Sequence, residues 1–407
     1  MNQMAEIDIV LFVAAVVFCV ALYALLAFNK SQGGWVESIR LMRLHHVAVG
    51  MAMGYTCLSP LRNIADMGLP LVVAFLCAWF AMAVGCTIDL RMLRKVGLQM
   101  AIIELAQLAL LGAVLLLMIY VPENNMHISG VALWAVGGVC AASWPEQRWS
   151  EKKKRLSALT PHWMPSVAIL VGILLLGVGS MQIHTGSPIF IYQPFSNSLL
   201  INGFTERILG SIVLGALVGL LADLATRGAP SRYFPYVVAG SLMLGAGIGS
   251  SVAFEPLWVG AIAGFWLINA TLRRVAVLAL VEGGTDTLKA GVYIVVGWIL
   301  GVQWMQGDIN APLLLWSFLL LLLLPAIRLV GWRIAGEQIG ANIGQVQWFV
   351  LGDFALVTAL SLTTFVDPAS GAALLAALLL SKVVFAASAG WLTGLAVRLL
   401  ESREKRI

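Results

Sequence analysis

Asp353 and Lys382 stand where ionised side chains are expensive. Each falls inside an apolar stretch of membrane-spanning length. A charge at the bilayer centre costs roughly 3 kcal/mol or more, so such residues pair, line a wet cavity, or carry ions and protons. Counted from the inner ends of their stretches, Asp353 is about seven residues deep and Lys382 about fifteen, which separates their depths by roughly 12 Å at 1.5 Å per residue. Helix breaks and a long lysine stem can close that gap. Two readings stand: a charged wall of an ion site at a broken helix, and a structural pair that neutralises itself.

Other polar side chains offer less. Glu104 and Gln107 share one helix face at i, i+3. Glu104 reads either as an acid inside its span or as a residue of a wet cytoplasmic funnel. Asp223 precedes Arg227 by one turn, the spacing of a structural ion pair. Asp286 and Lys289 open a further stretch, where a lysine snorkels to the surface. Asp89, Arg91 and Arg94 occupy a helix end and read as a cap or a topology signal. Nothing has the spacing of a Ser-His-Asp set, a phosphate loop or an H-E-x-x-H helix. The expectation is therefore a protein that is not an enzyme and needs no cofactor or metal. Five cysteines (Cys19, Cys57, Cys77, Cys86, Cys140) lie in or beside apolar segments without ligand spacing and read as packing residues.

The elements that must position these residues are membrane spans. The chain is 60% hydrophobic and only 11% charged, with a mean hydropathy of +0.92. A soluble protein carries about 25% charged residues. Stretches of roughly 20 apolar residues suit helical spans. They are read near 7–28, 41–58, 68–86, 98–120, 127–145, 163–183, 206–226, 233–252, 256–272, 286–304, 309–331, 346–365 and 369–397. Nearly every Lys and Arg falls in every second gap. The first gap holds Lys30, Arg40 and Arg43; the third holds Arg91, Arg94 and Lys95; the fifth holds the run Arg148 to Arg155. The seventh holds Arg227 and Arg232, and the ninth Arg273 and Arg274. The even gaps hold little beyond Arg62 and Arg207. The positive-inside rule then places the N-terminus outside and the C-terminus inside, which needs an odd number of spans. The expected fold is all-α integral membrane, with about thirteen transmembrane helices in the cytoplasmic (inner) membrane. The partner implied throughout is the lipid bilayer. The basic run at 148–155 is a topology signal near anionic lipid, not a nucleic-acid site.

An internal repeat is also legible. The second and third spans read GMAMGYTCLSP and FAMAVGCTIDLRMLRKVG; the ninth and tenth read VGAIAGFWLINATLRR and VYIVVGWILGVQW. Each pair is a small-xxx-small span followed by an apolar span with a central glycine. They sit seven spans apart. An odd offset reverses the membrane sense, giving inverted repeats of the kind built into secondary transporters. The expected domains are a first repeat over 1–183, an outer loop and linker helix over 184–232, a second repeat over 233–397, and a cytoplasmic tail over 398–407.

From about residue 40 to 397 the chain resembles the cation:proton antiporter superfamily, nearest in pattern to its potassium-efflux and sodium/proton exchangers. RLHHVAVGMAMGYTCLSP (43–60) is similar to that family's opening core helix. VGCTIDLRMLRKVG (84–97) is similar to its Gly-Leu-Glu-Leu-Asp-Leu-Arg signature. GSIVLGALVGLLADL (210–224) resembles its linker helix, and PLWVGAIAGFWLINATLRR (256–274) the helix opening its second repeat. LGDFALVTAL (351–360) resembles its Gly-Glu-Phe-Ala discontinuous helix, with Gly352 and Asp353 in the glycine and acid positions. The resemblance implies a core domain of crossed, broken helices moving against a panel domain that forms a homodimer through the first and eighth spans. Its helix dipoles would cradle a monovalent cation or proton.

The departures bear on function. At the first broken helix Ser143 matches, but Trp144 stands where the family has an acid. In the next helix, PHWMPSVAILVG (161–172), Ser166 falls where a buried carboxylate is expected. Carbonyls and hydroxyls can still ligate a cation but do not exchange protons near neutral pH. The expectation is an antiporter-fold transport protein for a small ion or solute that lacks the usual carboxylates of the first repeat. The alternative is a transport-inactive relative serving as membrane subunit, scaffold or sensor for a partner protein.

Overall fold

The computed structural model describes residues 43–56, 62–93, 130–143, 203–228, 230–252, 254–307, 309–335 and 352–385. Among them are ten longer helices and no strand. They are α1 (Leu44–Thr56), α2 (Arg62–Thr87), α3 (Gly130–Ala142), α4 (Gly203–Gly228) and α5 (Phe234–Ser251). α6 (Pro256–Ala270), α7 (Arg274–Gln306), α8 (Ala311–Ala335) and α9 (Phe354–Phe365) follow, and α10 is Pro368–Phe385. Helices suit a bilayer, because each satisfies its own backbone hydrogen bonds. Among the described residues, five stretches are long and apolar enough to cross a membrane: Gly68–Thr87, Glu206–Gly228, Phe234–Ser251, Arg274–Gln306 and Pro368–Phe385.

Helix α4 shows how one sequence serves two environments. Leu209, Val213, Leu217, Leu221 and Leu224 recur at helical spacing and are all exposed, forming an apolar stripe along the helix. A stripe of that length would be a liability in water and is natural against lipid tails. The other face carries Gly215 and Gly219, which seat on Val259, Ile262 and Trp266 of α6. The polar pair Asp223 and Arg227 closes the end of the helix at 2.7 Å.

Two helix pairs approach backbone to backbone. In α1 and α7, a Cβ on Gly50 would overlap the Ile294 carbonyl, and one on Gly297 would overlap that of Val47. In α2 and α6, a Cβ on Gly264 would overlap the Met82 carbonyl, and one on Gly85 that of Ala261. Small residues substitute here for the hydrophobic drive that lipid removes, and dispersion holds the helices together.

Helix ends are grouped. The Arg43 guanidinium donates to the Asp286 carbonyl at 3.1 Å. Arg274 lies 3.6 Å from Asp89, and Arg273 donates to the Arg227 carbonyl at 3.4 Å. Asp89 also caps the turn Leu90–Leu93 by accepting from the Arg91 N–H at 2.9 Å. At the opposite ends of α4 and α6, the Glu255 N–H donates to the Ser211 hydroxyl at 3.2 Å.

α7 departs from the hydropathy reading. It begins at Arg274, not near residue 286, and runs for 33 residues, about 50 Å at 1.5 Å per residue. The polar run Glu282 to Asp286 interrupts apolarity but not the helix, because helical hydrogen bonding does not require apolar side chains. The helix stops at Gly307, whose φ of +73° suits only glycine without strain.

Candidate functional site

α9 and α10 form a tight helical hairpin. The Gly371 N–H donates to the Asp367 carbonyl at 2.9 Å, and Gly371 lets α10 press against Thr363. From that turn, at 1.5 Å per residue, Asp353 stands about 18 Å along α9 and Lys382 about 21 Å along α10. The two therefore face each other at one level. Lys382 Nζ lies 2.6 Å from Asp353 Oδ1. The difference of depth expected from the span ends disappears because the common turn, not the far ends, sets the register.

α7 completes the cluster. Tyr293 donates its hydroxyl to the same Asp353 Oδ1 at 2.7 Å and accepts from Lys382 Nζ at 2.8 Å. The ammonium also lies 5.3 Å from the Tyr293 ring centroid, within cation–π reach. One turn earlier on the same face, Lys289 Nζ lies 3.4 Å from Asp353 Oδ2 and 3.7 Å from Asp286. Lys289 does not snorkel free: its side chain is 8% exposed, while that of Asp286 is 58% exposed. One carboxylate is thus held between two buried ammoniums and a phenol, with a second carboxylate at the exposed edge.

The backbone beneath Asp353 is equally specific. Asp353 is the N-cap residue of α9, and its carbonyl accepts from the Leu356 N–H at 3.1 Å. An aspartate there normally caps the helix with its own side chain. Here the side chain makes no capping bond, because the two lysines and the tyrosine take it. The preceding residue joins two helix ends: the Gly352 N–H donates to the Ser143 carbonyl at 2.9 Å. The C-terminal end of α3 and the N-terminal end of α9 therefore meet, with the negative pole of one dipole against the positive pole of the other. Ser143 is fully buried, and its hydroxyl donates back to the Cys140 carbonyl at 2.6 Å. What Ser143 brings to the junction is its backbone oxygen.

Of the residues singled out from sequence, Asp353, Lys382, Gly352 and Ser143 come together. Glu104 and Ser166 lie outside the described residues, as do the first, fourth and sixth spans and the outer loop. Cys77, Cys86 and Cys140 are buried, and no cluster of metal-ligating side chains occurs among the described residues. Tyr293 was not marked by sequence reasoning. Its spacing of one turn from Lys289 was the available signal.

A second polar contact, also unmarked, lies farther along α9. The Ser361 hydroxyl donates to Glu255 Oε1. Glu255 is the N-cap residue of α6 and is followed by Pro256 at the first helical position, an ordinary way to start a helix.

No protein-family model matches the chain, and no curated protein matches it. The class rests on fold and site: an α-helical chain with several helices able to cross a membrane and a charged cluster buried where two helix ends meet.

Proposed function

We propose that this chain is an antiporter-fold membrane transport protein for a small ion or solute, with Asp353, Lys382, Tyr293 and Lys289 forming its ion site. The observation that carries the reading is the junction of Gly352 with Ser143 directly beside Asp353. Broken helices that expose opposed dipole ends to a charged centre suit an ion site near the midplane. The cluster also has the makings of a switch. A buried ion pair resists opening when opening strands one partner. Asp353 has Tyr293 and Lys289 as alternative partners, so an arriving ion can displace Lys382 without leaving the carboxylate bare.

Two further sets of contacts support inverted repeats. Exchange of the second span with the ninth, and of the third with the tenth, turns the α1–α7 pair into the α2–α6 pair. Gly50 against Ile294 becomes Gly264 against Met82, and Gly297 against Val47 becomes Gly85 against Ala261. The residue offset from Gly50 to Gly264 equals that from Val47 to Ala261. The offset from Met82 to Ile294 equals that from Gly85 to Gly297. The same exchange takes the fifth span to the twelfth, and the described helix ends of these two spans meet at Ser143 and Gly352. The grouping of the Arg43, Asp89, Arg227, Arg273 and Arg274 ends supports one basic, cytoplasmic face. On this reading the chain has about thirteen spans in the inner membrane, N-terminus out and C-terminus in, and pairs as a homodimer. It belongs with the cation:proton antiporter superfamily and takes a monovalent cation or a proton.

One observation favours the second reading, a transport-inactive subunit or sensor for a partner protein. Asp353, Lys382 and Tyr293 satisfy one another in a closed triangle, and the first repeat offers Trp144 and Ser166 in place of acids. Flux separates the two. Reconstituted in liposomes, the purified chain is expected to move sodium, potassium, protons or a small anion. Asp353→Asn is expected to cut that flux about tenfold or more, a loss of roughly 1.4 kcal/mol of barrier lowering. Absence of every such flux in the wild-type chain, together with a stable co-purifying protein, would establish the subunit reading instead.

A further inference from the structure

α9 carries four hydroxyls, and three of them turn inward on their own helix. Thr358 donates to the Phe354 carbonyl at 2.9 Å, Thr363 to Ala359 at 2.7 Å and Thr364 to Leu360 at 3.0 Å. That is the ordinary fate of a hydroxyl in an apolar helix. Ser361 is 1% exposed and does otherwise: it reaches across to the carboxylate of Glu255. Glu255 itself is half-buried. Among the described residues its carboxylate has no lysine, arginine or histidine within ion-pair distance. A carboxylate in such a position is held by a neutral donor on one oxygen, which leaves the other to take up a proton.

The surroundings leave that carboxylate without a fixed counter-charge. On α2 the neighbour is Cys77, whose thiol lies beside the Ser361 hydroxyl and donates to the Val357 carbonyl at 3.7 Å. On α4, Ser211 meets the Glu255 backbone and in turn donates to the Arg207 carbonyl. The Arg207 guanidinium does not pair with Glu255, and Glu206 precedes it on the same turn. At the near end of α10, Asp367 accepts from the Ala369 N–H. α5 brings no acid or base other than Tyr236, near its opposite end. The contrast with Asp353 is direct, since that carboxylate is flanked by two ammoniums.

We propose that the Glu255 carboxylate, held by Ser361, is a proton-exchange site that opens toward the end of the molecule opposite the Asp353 cluster. Ser361 lies eight residues beyond Asp353 on one helix, about 12 Å away along its axis. An incoming proton binds the free carboxylate oxygen and converts the anion to the neutral acid, while Ser361 keeps its bond to the other oxygen. On release the proton returns to water at the same end. Because α9 carries both Ser361 and Asp353, the charge on Glu255 acts on the helix that bears the ion cluster. The site supplies an exchangeable acid in the second half of the chain, and its existence does not depend on transport through Asp353.

Infrared difference spectroscopy of the full-length protein in lipid nanodiscs, recorded across a pH jump, reads the site directly. The wild-type chain is expected to show a carboxylic-acid carbonyl band that appears on acidification. Glu255→Gln is expected to abolish it and Asp353→Asn to retain it. Ser361→Ala is expected to move it to higher frequency, because the acid loses a hydrogen-bond donor. A band that persists in Glu255→Gln, or one that vanishes in Asp353→Asn, would overturn the proposal. Should Glu255→Gln fail to fold, the Ser361→Ala spectrum decides, since only a hydroxyl is removed, and an unshifted band would overturn it equally. None of these readings uses flux, so they stand apart from the test of the ion cluster.

Discussion

The glycine contacts and the charged junction solve the same problem in opposite ways. At the α1–α7 and α2–α6 interfaces, backbone lies on backbone and no charged side chain takes part in the glycine contacts. At the junction of α3, α7, α9 and α10, two lysines, an aspartate and a tyrosine are gathered at the cost of their hydration. The first arrangement derives its stability from fit, which cannot be altered without moving a helix. The second derives its geometry from charge, which an apolar core of the same shape would match or exceed in stability. Residues whose replacement by neutral groups leaves the fold intact are kept for something other than the fold.

The largest effect is expected where fit is broken. Gly264→Leu places side-chain atoms where the Met82 carbonyl stands. No rotamer relieves a clash that begins at Cβ, so α2 and α6 must separate, at a cost above about 3 kcal/mol. Loss of the folded peak in size-exclusion chromatography checks this. A variant that elutes and melts like the wild type would mean that the contact is not tight.

An intermediate effect is expected from unpairing charge. Lys382→Met leaves Asp353 with Lys289 and Tyr293 alone and should lower stability by about 3 kcal/mol. Adding Asp353→Asn removes the carboxylate that lost Lys382, keeps an acceptor for Tyr293, leaves Lys289 with Asp286 and should recover part of that loss. Thermal melts of the two single variants and the double variant complete the cycle. A double variant less stable than both singles would place the cluster with the glycine contacts, as a structural device.

The smallest effect is expected from Tyr293→Phe. It deletes the hydroxyl that bridges Asp353 and Lys382 but leaves their direct contact, at a cost of about 1 kcal/mol. A melt indistinguishable from the wild type would show that the bridge adds orientation only.

Much of this comparison was legible in the sequence, for uneven reasons. Asp353 and Lys382 stood out because an intramembrane charge is rare, and their apolar surroundings made them conspicuous. The Gly50-xxx-Gly54 and Gly260-xxx-Gly264 patterns announced close helix contacts, though not which helix each would meet. Partner choice depends on tertiary register that no local pattern encodes. Lys289 was read as an opening residue because polarity was taken for a helix boundary, while α7 continues through it for a further fifteen residues toward Arg274. Glu255 escaped notice for a related reason. It stands between two spans, where hydropathy sees a connection, and its partner Ser361 is one hydroxyl among several on an apolar helix. Ser143 was expected at this junction with carbonyl and hydroxyl both open as ligands, and it is its carbonyl that meets Gly352, a role any residue type can fill.

The central claim is that the cluster around Asp353 serves ion movement and not folding. The most direct measurement is ion flux through liposomes containing the Asp353→Asn, Lys382→Met double variant, beside the wild-type chain at matched, folded protein content. The expected result is a variant that is folded and monodisperse but has lost flux about tenfold or more. A double variant that transports at the wild-type rate would contradict the account.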